Sequence, residues 1–247
     1  MTVETRAAVV FDRVSKAFGT KQVLRDVSFE VPAGQTLCIL GRSGTGKSVT
    51  LKLLISLLKP DQGKIWVDAE EITHLKEAEL SKVRRKMGFL FQDAALFDSL
   101  TLYENLALPL RRLTDKSLGE IDSIVDKVLG QVGLATDKKK MPAELSGGMR
   151  KRAGLARALV LEPKILLADE PSSGLDRITA AEIDELLIQQ KVEQGTTVIV
   201  VTHDVHGARR VGDRFAVFDK GDLVAHGTSN EVEHSENETA RKLISEY

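Results

Sequence analysis

The sequence predicts an α/β fold in which helices cover a parallel β-sheet. Four short, continuous apolar runs are bounded by polar residues or glycine, as strands buried on both faces usually are. They lie at 36–40, 87–91, 164–168 and 196–201. Helical patterns lie between them, over 48–59 and over 178–194. Strands that alternate with helices along a chain are typical of a parallel sheet.

The middle of the chain departs from this alternation. No good strand candidate occurs between Asp93 and Val160. Three segments in this region have helical patterns, at 100–112, 118–131 and 148–161. The sequence therefore predicts a helical insertion between the two halves of the sheet.

Segments outside the predicted parallel sheet have a different pattern. Apolar and polar residues alternate more at 9–18, 23–31 and 64–67, as they do in half-buried antiparallel strands. Runs at 215–218 and 223–225 predict a hairpin.

The last stretch, 229–247, has mixed charge and ends in a predicted short helix over 239–247. We interpret it as a solvated end. A contact with a second subunit is the alternative.

Composition limits the classes of function. The chain has 247 residues, 42% hydrophobic, and a net charge of −1, so no basic field favours nucleic acid. Its single cysteine, Cys38, excludes an internal disulfide framework and a four-cysteine zinc site. The densest apolar stretch, 51–58, is far shorter than the ~20 residues of a membrane span, and no secretory-signal pattern is found. We therefore expect any action at a membrane to depend on a partner protein.

Residues 41–48, called the phosphate loop below, fit the pattern GxxxxGK[ST]. A predicted strand precedes them and a predicted helix follows, so glycines and a helix N terminus would direct N–H groups at phosphate oxygens. Lys47 would neutralise phosphate charge and the Ser48 hydroxyl would bind Mg²⁺. The alternative is a glycine-rich turn that binds nothing. The loop consists of Gly41, Arg42, Ser43, Gly44, Thr45, Gly46, Lys47 and Ser48.

Two adjacent carboxylates, Asp169 and Glu170, follow the apolar run at 164–168. The aspartate suits a contact with Mg²⁺. The glutamate suits a general base that activates water for in-line attack on a γ-phosphate. Alone, the pair is equally compatible with a strand end that meets solvent. Together with the phosphate loop, it favours nucleotide hydrolysis.

A second glycine-rich segment consists of Ser146, Gly147 and Gly148 and precedes a basic, alanine-rich helical pattern. Small residues before a helix leave an N terminus that can hold anionic oxygen. The alternative is a loop in which Ser146 caps the helix. The chain thus contains two candidate phosphate-type sites.

In this order and at this spacing, the three motifs resemble those of an ABC-type ATPase, the nucleotide-binding subunit of ABC transporters. The resemblance covers essentially the whole chain and implies ATP and Mg²⁺ as cofactors. It implies that the catalytic residues are Lys47, Glu170 and His203, and that the Mg²⁺ ligands are Ser48, Gln92 and Asp169. It adds Phe18, stacked on adenine, and Asp176 of the D-loop to a nucleotide site formed by 41–48 and Ser146, Gly147 and Gly148.

The resemblance also implies a P-loop NTPase architecture with one ABC ATPase domain over 1–247. Its parts are a RecA-like core with antiparallel β segments (1–92 and 161–227), a helical subdomain (93–160) and a tail (228–247). Two copies would pair head to tail, so that Ser146, Gly147 and Gly148 of one copy, the signature loop, close on ATP held by Lys47 of the other.

Two positions depart from the family pattern. Met149 stands where glutamine is common, which removes a polar contact near the partner's nucleotide but leaves the backbone donors. Val49 stands where threonine commonly helps to bind the α-phosphate. Both argue against a generic member rather than against the family.

Three segments, 41–49, 91–101 and 145–152, are similar to those of the ATPase subunits of bacterial lipid-transport systems that work with MCE proteins. This similarity implies movement of phospholipid or another lipid across the bacterial envelope, with an MCE-domain partner. It places an integral membrane permease near the apolar residues from Phe91 to Leu110, which could instead pack the helical insertion. The chain would then be peripheral, on the cytoplasmic face of the inner membrane, attached through the permease.

Other members of the superfamily remain alternatives. The first is the ATPase of an amino-acid or other small-solute importer. Soluble translation ATPases of this superfamily usually carry two cassettes on one chain, and chromosome-maintenance ATPases split the cassette with long coiled coils. Neither pattern fits 247 residues with one complete motif set.

Overall fold

A computed structural model describes residues 6–245, which form two sheets and the helices around them. The strands are β1 (Ala7–Phe18), β2 (Lys21–Pro32), β3 (Thr36–Gly41), β4 (Gln62–Val67), β5 (Glu70–Glu71), β6 (Met87–Leu90), β7 (Ile165–Asp169), β8 (Thr197–Val201), β9 (Arg214–Asp219) and β10 (Asp222–Gly227). The helices are α1 (Lys47–Leu54), α2 (Glu77–Arg84), α3 (Leu102–Leu113), α4 (Leu118–Gln131), α5 (Gly147–Leu159), α6 (Arg177–Gln194), α7 (Val205–Val211), α8 (Ser229–Glu233) and α9 (Glu238–Ser245).

The larger sheet has the strand order β10-β9-β3-β8-β7-β6. Its strands are parallel from β9 to β6, and β10 joins one edge as the antiparallel half of a hairpin. The four predicted buried strands are β3, β6, β7 and β8, with ends shifted by at most one residue. The α/β prediction is therefore confirmed. The carboxyl ends of these strands meet at one edge, where the phosphate loop and Glu170 follow β3 and β7.

The smaller sheet is antiparallel, with the order β2-β1-β4-β5. Its apolar side chains pack, together with α1, against one face of the larger sheet. Phe11, Leu24, Leu51, Ile39 and Phe218 are fully buried members of this core. The predicted antiparallel strands and hairpin are found at their expected places.

Between β6 and β7 the described chain contains α3, α4, α5 and a short 3₁₀ turn, and no strand. Thr101 and Ser117 cap α3 and α4, because each hydroxyl accepts the N–H of a glutamate three residues on, whose carboxylate returns to the cap. Leu106 and Leu129 join the core on the second face of the larger sheet. The division of the chain at 92, 160 and 227 stays a prediction.

Several local features differ from the sequence predictions. The first helix ends at Leu54 rather than near 59, and Ser56 just beyond it has a left-handed φ of 53°. Helices α2, α7 and α8 were not expected, because none of them carries an apolar pattern long enough to predict a helix.

The interpretation of the C-terminal stretch as a solvated end is wrong for residues 229–245. Val232, Ala240 and Ile244 are buried in the main core. Arg209 of α7 donates hydrogen bonds to the Ile244 carbonyl at 2.9 Å and to the Glu233 carboxylate at 2.8 Å. The two short helices are therefore part of the folded body, while residues 246–247 of the predicted helix lie outside the described residues.

Cys38 lies fully buried in the interior strand β3. Its thiol contacts the Ala208 carbonyl of α7 at 3.5 Å, and burial raises the pKa of Cys38. Within residues 6–245, no helix is long and apolar enough to cross a membrane.

Candidate active site

The phosphate loop connects β3 to α1 and is held by neighbouring backbone. Gly46, the residue before α1, has a left-handed φ of 103°, and a Cβ there would lie 2.7 Å from the Val23 carbonyl oxygen. No side chain caps α1. A glycine is thus required for close packing, and the N terminus of α1 is left for an anion.

Lys47 is the first residue of α1, and its side chain turns back under the loop. Its Nζ donates to the carbonyl oxygens of Gly41 at 2.8 Å and Arg42 at 3.1 Å. Only 7% of the residue is exposed. Burial lowers the pKa of Lys47, while the carboxylates of Glu170 and Asp169 act in the opposite direction. The ammonium group is therefore fixed at the base of the loop.

Ser48 meets the end of β7. Its hydroxyl donates to Asp169 Oδ1 at 3.0 Å. Burial raises the pKa of Asp169, and the hydrogen bond from Ser48 opposes that rise. Two oxygens at adjacent corners of a Mg²⁺ octahedron lie about 2.9 Å apart, so the observed pair of oxygens fits this ion.

Glu170 is oriented by two residues that follow β8. Its Oε1 lies 2.9 Å from His203 Nδ1, and its Oε2 accepts the Thr202 hydroxyl at 3.2 Å. The backbone of Glu170 has a left-handed φ of 48°. Such a conformation is costly for a residue with a side chain and is typical of functional sites.

A cavity of about 680 Å³ opens above the phosphate loop. Phe18 lies at its border, with the Lys16 ammonium 5.5 Å from the ring centre. The predicted site residues that line the cavity are Phe18, Arg42, Ser43, Gly44, Gly46, Lys47, Ser48, Gln92, Glu170 and His203. The structure thus brings together, around one cavity, residues from β1, the phosphate loop and the ends of β6, β7 and β8.

Three predicted residues lie behind this surface. Gly41 ends β3, Asp169 lies behind Ser48, and the Thr45 hydroxyl donates to the Arg42 carbonyl at 2.9 Å, which braces the loop. None of the three lines the cavity.

The signature loop and Asp176 lie apart from the cavity lining and beside each other. Ser146 caps α5, its Oγ accepting the Met149 N–H at 3.2 Å. A Cβ at Gly148 would lie 2.4 Å from the Thr179 side chain, and Thr179 donates to Asp176 at 2.7 Å. These residues therefore form a second cluster, at the start of α5 and α6.

Sequence reasoning missed several residues of the site. Lys21 and Val23 line the cavity, and Thr202 contacts Glu170. Lys151 of α5 donates from Nζ to the Glu170 carbonyl oxygen at 2.9 Å. A lysine among alanines and glycines on a buried helix face was an available signal for the last of these.

Comparisons with known proteins decide the family. A family model described as ABC transporter matches residues 24–173. The chain belongs to the ABC transporter family. It is 44% identical over 237 residues to the Mycobacterium leprae protein named "Probable ribonucleotide transport ATP-binding protein mkl". It is 42% identical over 245 residues to the methionine import ATP-binding protein MetN of Rhizobium meliloti. Each alignment covers 96% of this chain and 68% of the relative, so this ABC chain spans about two thirds of these curated proteins.

Solved structures agree with this assignment. The ATP-binding cassette MJ0796, described as a dimer in a post-hydrolysis state with ADP and Pi, superimposes with a TM-score of 0.83 at 35% identity, covering 89% of this chain and 98% of that one. The cbiO1 protein of Clostridium perfringens, part of the cbiONQ ABC transporter complex, gives a TM-score of 0.85 at 30% identity, covering 96% and 94%. The chain is an ABC-type ATPase.

Proposed function

We propose that this chain is the ATP-hydrolysing subunit that powers a membrane ABC transporter. The main support is that the phosphate loop and the Glu170–His203 pair line one cavity, with Asp169 directly behind Ser48. Such a set binds the phosphates at a helix N terminus and places a carboxylate base beside them.

Within this proposal each residue has a distinct task. Lys47 and the loop N–H groups bind the phosphates, and Phe18 stacks on the base. Ser48, Gln92 and Asp169 hold Mg²⁺, which when bound offsets phosphate charge. Glu170 takes the proton of the attacking water, and His203 contacts the γ-phosphate while orienting Glu170.

The active unit in this proposal is a head-to-tail dimer. In one copy the signature loop is exposed and absent from the cavity lining, so it cannot complete its own site there. Ser146 and Gly147 offer a second helix N terminus to the nucleotide held by another copy. The relative MJ0796, described as a dimer, supports the dimeric part of this proposal.

The surface around Phe97 is the candidate docking site for a permease. Leu102, Leu106 and Leu110 of α3 are fully buried, so they pack the helical insertion and are not available for docking. Phe97, however, is 51% exposed. Buried Asn105 fixes its backbone, accepting the Phe97 N–H at 2.8 Å and donating to the Phe97 carbonyl at 3.1 Å. A rigid loop thus presents an aromatic ring five residues beyond Gln92.

Replacing Phe97 with glutamate tests this docking surface. We expect the variant to lose co-purification with the permease, because a carboxylate must give up its hydration to enter an apolar contact. The melting temperature and basal ATPase of the isolated chain should change little, since the ring is exposed and Arg157 lies 5.9 Å from it. The matched control is Leu118→Glu, a more exposed apolar residue (68% against 51%) outside 91–110, which should retain the permease. A large fall in melting temperature for Phe97→Glu would assign the ring to the core instead.

For the transported substrate, we propose a lipid, handled with an MCE-domain partner on the cytoplasmic face of the inner membrane. The support is the similarity of 41–49, 91–101 and 145–152 to ATPases of such systems. The second candidate is a small-solute importer, and the 42% identity to a methionine import protein favours it.

Purification of the tagged chain from its native membrane in mild detergent distinguishes the two candidates. Recovery of a permease together with an MCE-domain protein, and vanadate-sensitive lipid movement after reconstitution, is the expected result. Recovery of a permease that binds a periplasmic solute-binding protein would reject the lipid proposal and leave the ATPase assignment intact.

A further inference from the structure

Three consecutive cations follow the signature loop on α5, and their side chains differ in direction. Arg150 donates to the Leu145 carbonyl at 2.6 Å, and Arg152 pairs with Glu182 at 3.2 Å. Lys151 is buried, and its Nζ contacts the Glu170 carbonyl at 2.9 Å and the Ser173 hydroxyl at 3.4 Å. Of these three, Lys151 is the one directed at the base.

Glu170 needs support because its backbone is left-handed, a conformation that is costly for a residue with a side chain. Its N–H donates to the Val201 carbonyl at 2.8 Å, which ties it to β8. Its carbonyl oxygen accepts the Lys151 ammonium, which ties it to α5, and also the Ser173 N–H at 3.2 Å in the turn that follows β7. Both backbone polar groups of the residue are therefore held, by two different elements.

We propose that Lys151 is a positioning residue that holds Glu170 of its own chain through the Glu170 carbonyl. Ser146 caps α5 and Lys151 lies one turn into it, yet the two residues serve different sites. Lys151 acts on the nucleotide that its own chain hydrolyses, whereas Ser146 acts on the nucleotide held by the partner. The inference rests on the proposed head-to-tail dimer.

Electrostatics is consistent with this role. Burial lowers the pKa of Lys151, and the carboxylates of Asp93, Glu170 and Asp169 oppose the shift. A hydrogen bond from a charged donor to a carbonyl is stronger than one between neutral groups. The contact is thus suited to hold a strained peptide without touching substrate.

Steady-state kinetics of the full chain with Mg-ATP gives the first test. Lys151→Met keeps the length of the side chain but cannot donate, so kcat should fall roughly 10- to 100-fold while KM changes less than about twofold. Lys151→Arg keeps the charged donor and should restore kcat to within about threefold. The control Arg152→Met removes a charge from the same helix and should retain kcat.

Mixtures of variants give the second test. In a head-to-tail dimer, Lys151→Met inactivates the ATP site that contains Glu170 of its own chain. Ser146→Arg inactivates the ATP site that contains Glu170 of the partner. A mixed dimer of the two therefore keeps one intact site, and a 1:1 mixture should regain about a quarter of the wild-type rate. A mixture of Lys151→Met with Glu170→Gln keeps none and should stay inactive.

The opposite pattern would overturn the proposal. If Lys151 only shaped the signature loop, Lys151→Met would regain activity with Glu170→Gln and not with Ser146→Arg. An unchanged kcat, or a loss of ATP affinity as large as that of Lys47→Ala, would also reject it. Should Lys151→Met fail to fold, Lys151→Gln replaces it in the same mixtures. Failure of Glu170→Gln to regain activity with Ser146→Arg would instead reject the head-to-tail dimer itself.

Discussion

Two helices of this ATPase begin in a glycine-rich segment, and their first turns differ. Helix α1 starts after a left-handed glycine, Gly46, without a side-chain cap. Helix α5 starts after Ser146, whose hydroxyl accepts one of its free N–H groups. The first residue of α1, Lys47, is buried under the phosphate loop, whereas Ser146 and Gly147 are exposed.

The surroundings of the two helices decide what each can do. The start of α1 faces Glu170, His203 and the Ser48–Asp169 pair within one chain. The start of α5 packs beside Asp176 and Thr179, and its contact with Glu170 is made one turn further on, where Lys151 donates to the Glu170 carbonyl and not to the carboxylate. We therefore expect either helix N terminus to bind an anion, and we expect chemistry on that anion only at α1, where Glu170 lines the cavity.

The largest test of this contrast removes the base at α1. Glu170→Gln keeps the shape of the side chain but cannot accept a proton, so turnover should fall by ~10²–10⁴ while ATP still binds. Single-turnover hydrolysis measures the rate, and size-exclusion chromatography should show an ATP-dependent dimer. Near-normal turnover would show that another group is the base.

The second test acts on α5. Ser146→Arg places a long charged side chain on the signature loop, and hydrolysis should fall roughly 100-fold because the donors there no longer reach the partner's nucleotide. Binding of a fluorescent ATP analogue to the isolated chain should stay nearly unchanged. If binding fell as much as turnover, the loop would belong to its own chain's site.

The third test distinguishes binding of ATP to one chain, which depends on α1, from pairing of two chains around it. Lys47→Ala removes a charged donor present before any reaction, so the affinity of the single chain for ATP should fall roughly 10- to 100-fold. Equilibrium titration measures it, with Ser146→Arg as the matched variant at the other helix. Equal affinities for the two variants would remove the distinction between the helices.

The smallest effect is expected at Met149. Its side chain packs against the core, and the donors of this helix are backbone groups. Met149→Gln should therefore change kcat by less than about twofold. A severalfold gain in kcat would mean that the side chain at this position contacts the partner's nucleotide.

The sequence predicted best those features that depend on neighbouring residues. Continuous apolar runs identified the parallel strands, because strands buried on both faces need no alternation. The spacing of 41–48 identified the phosphate loop, because its glycines and Lys47 are close neighbours in the sequence and act together locally. The roles of the individual site residues stay predictions until the variants are measured.

Features that depend on distant contacts were not predictable in this way. Lys151 meets Glu170 across 19 positions, and Thr202 meets it across 32. The buried residues of α9 are Ala240 and Ile244, with Leu243 packed beside them, which is too short an apolar pattern to distinguish from a solvated helix. In each case tertiary packing, not local sequence, decides the outcome.

Because Cys38 is buried, the rate at which its thiol is labelled can report local opening of the chain. A thiol reagent reaches the single cysteine only after β3 and α7 separate, since the sulfur lies fully buried between them. The labelling rate therefore measures how often the interior strand that leads into the phosphate loop becomes accessible. A second cysteine introduced on the exposed signature loop would react orders of magnitude faster. The same reagent would then report two events. Protection of the introduced cysteine would measure pairing of two subunits, and labelling of Cys38 would measure local opening within one.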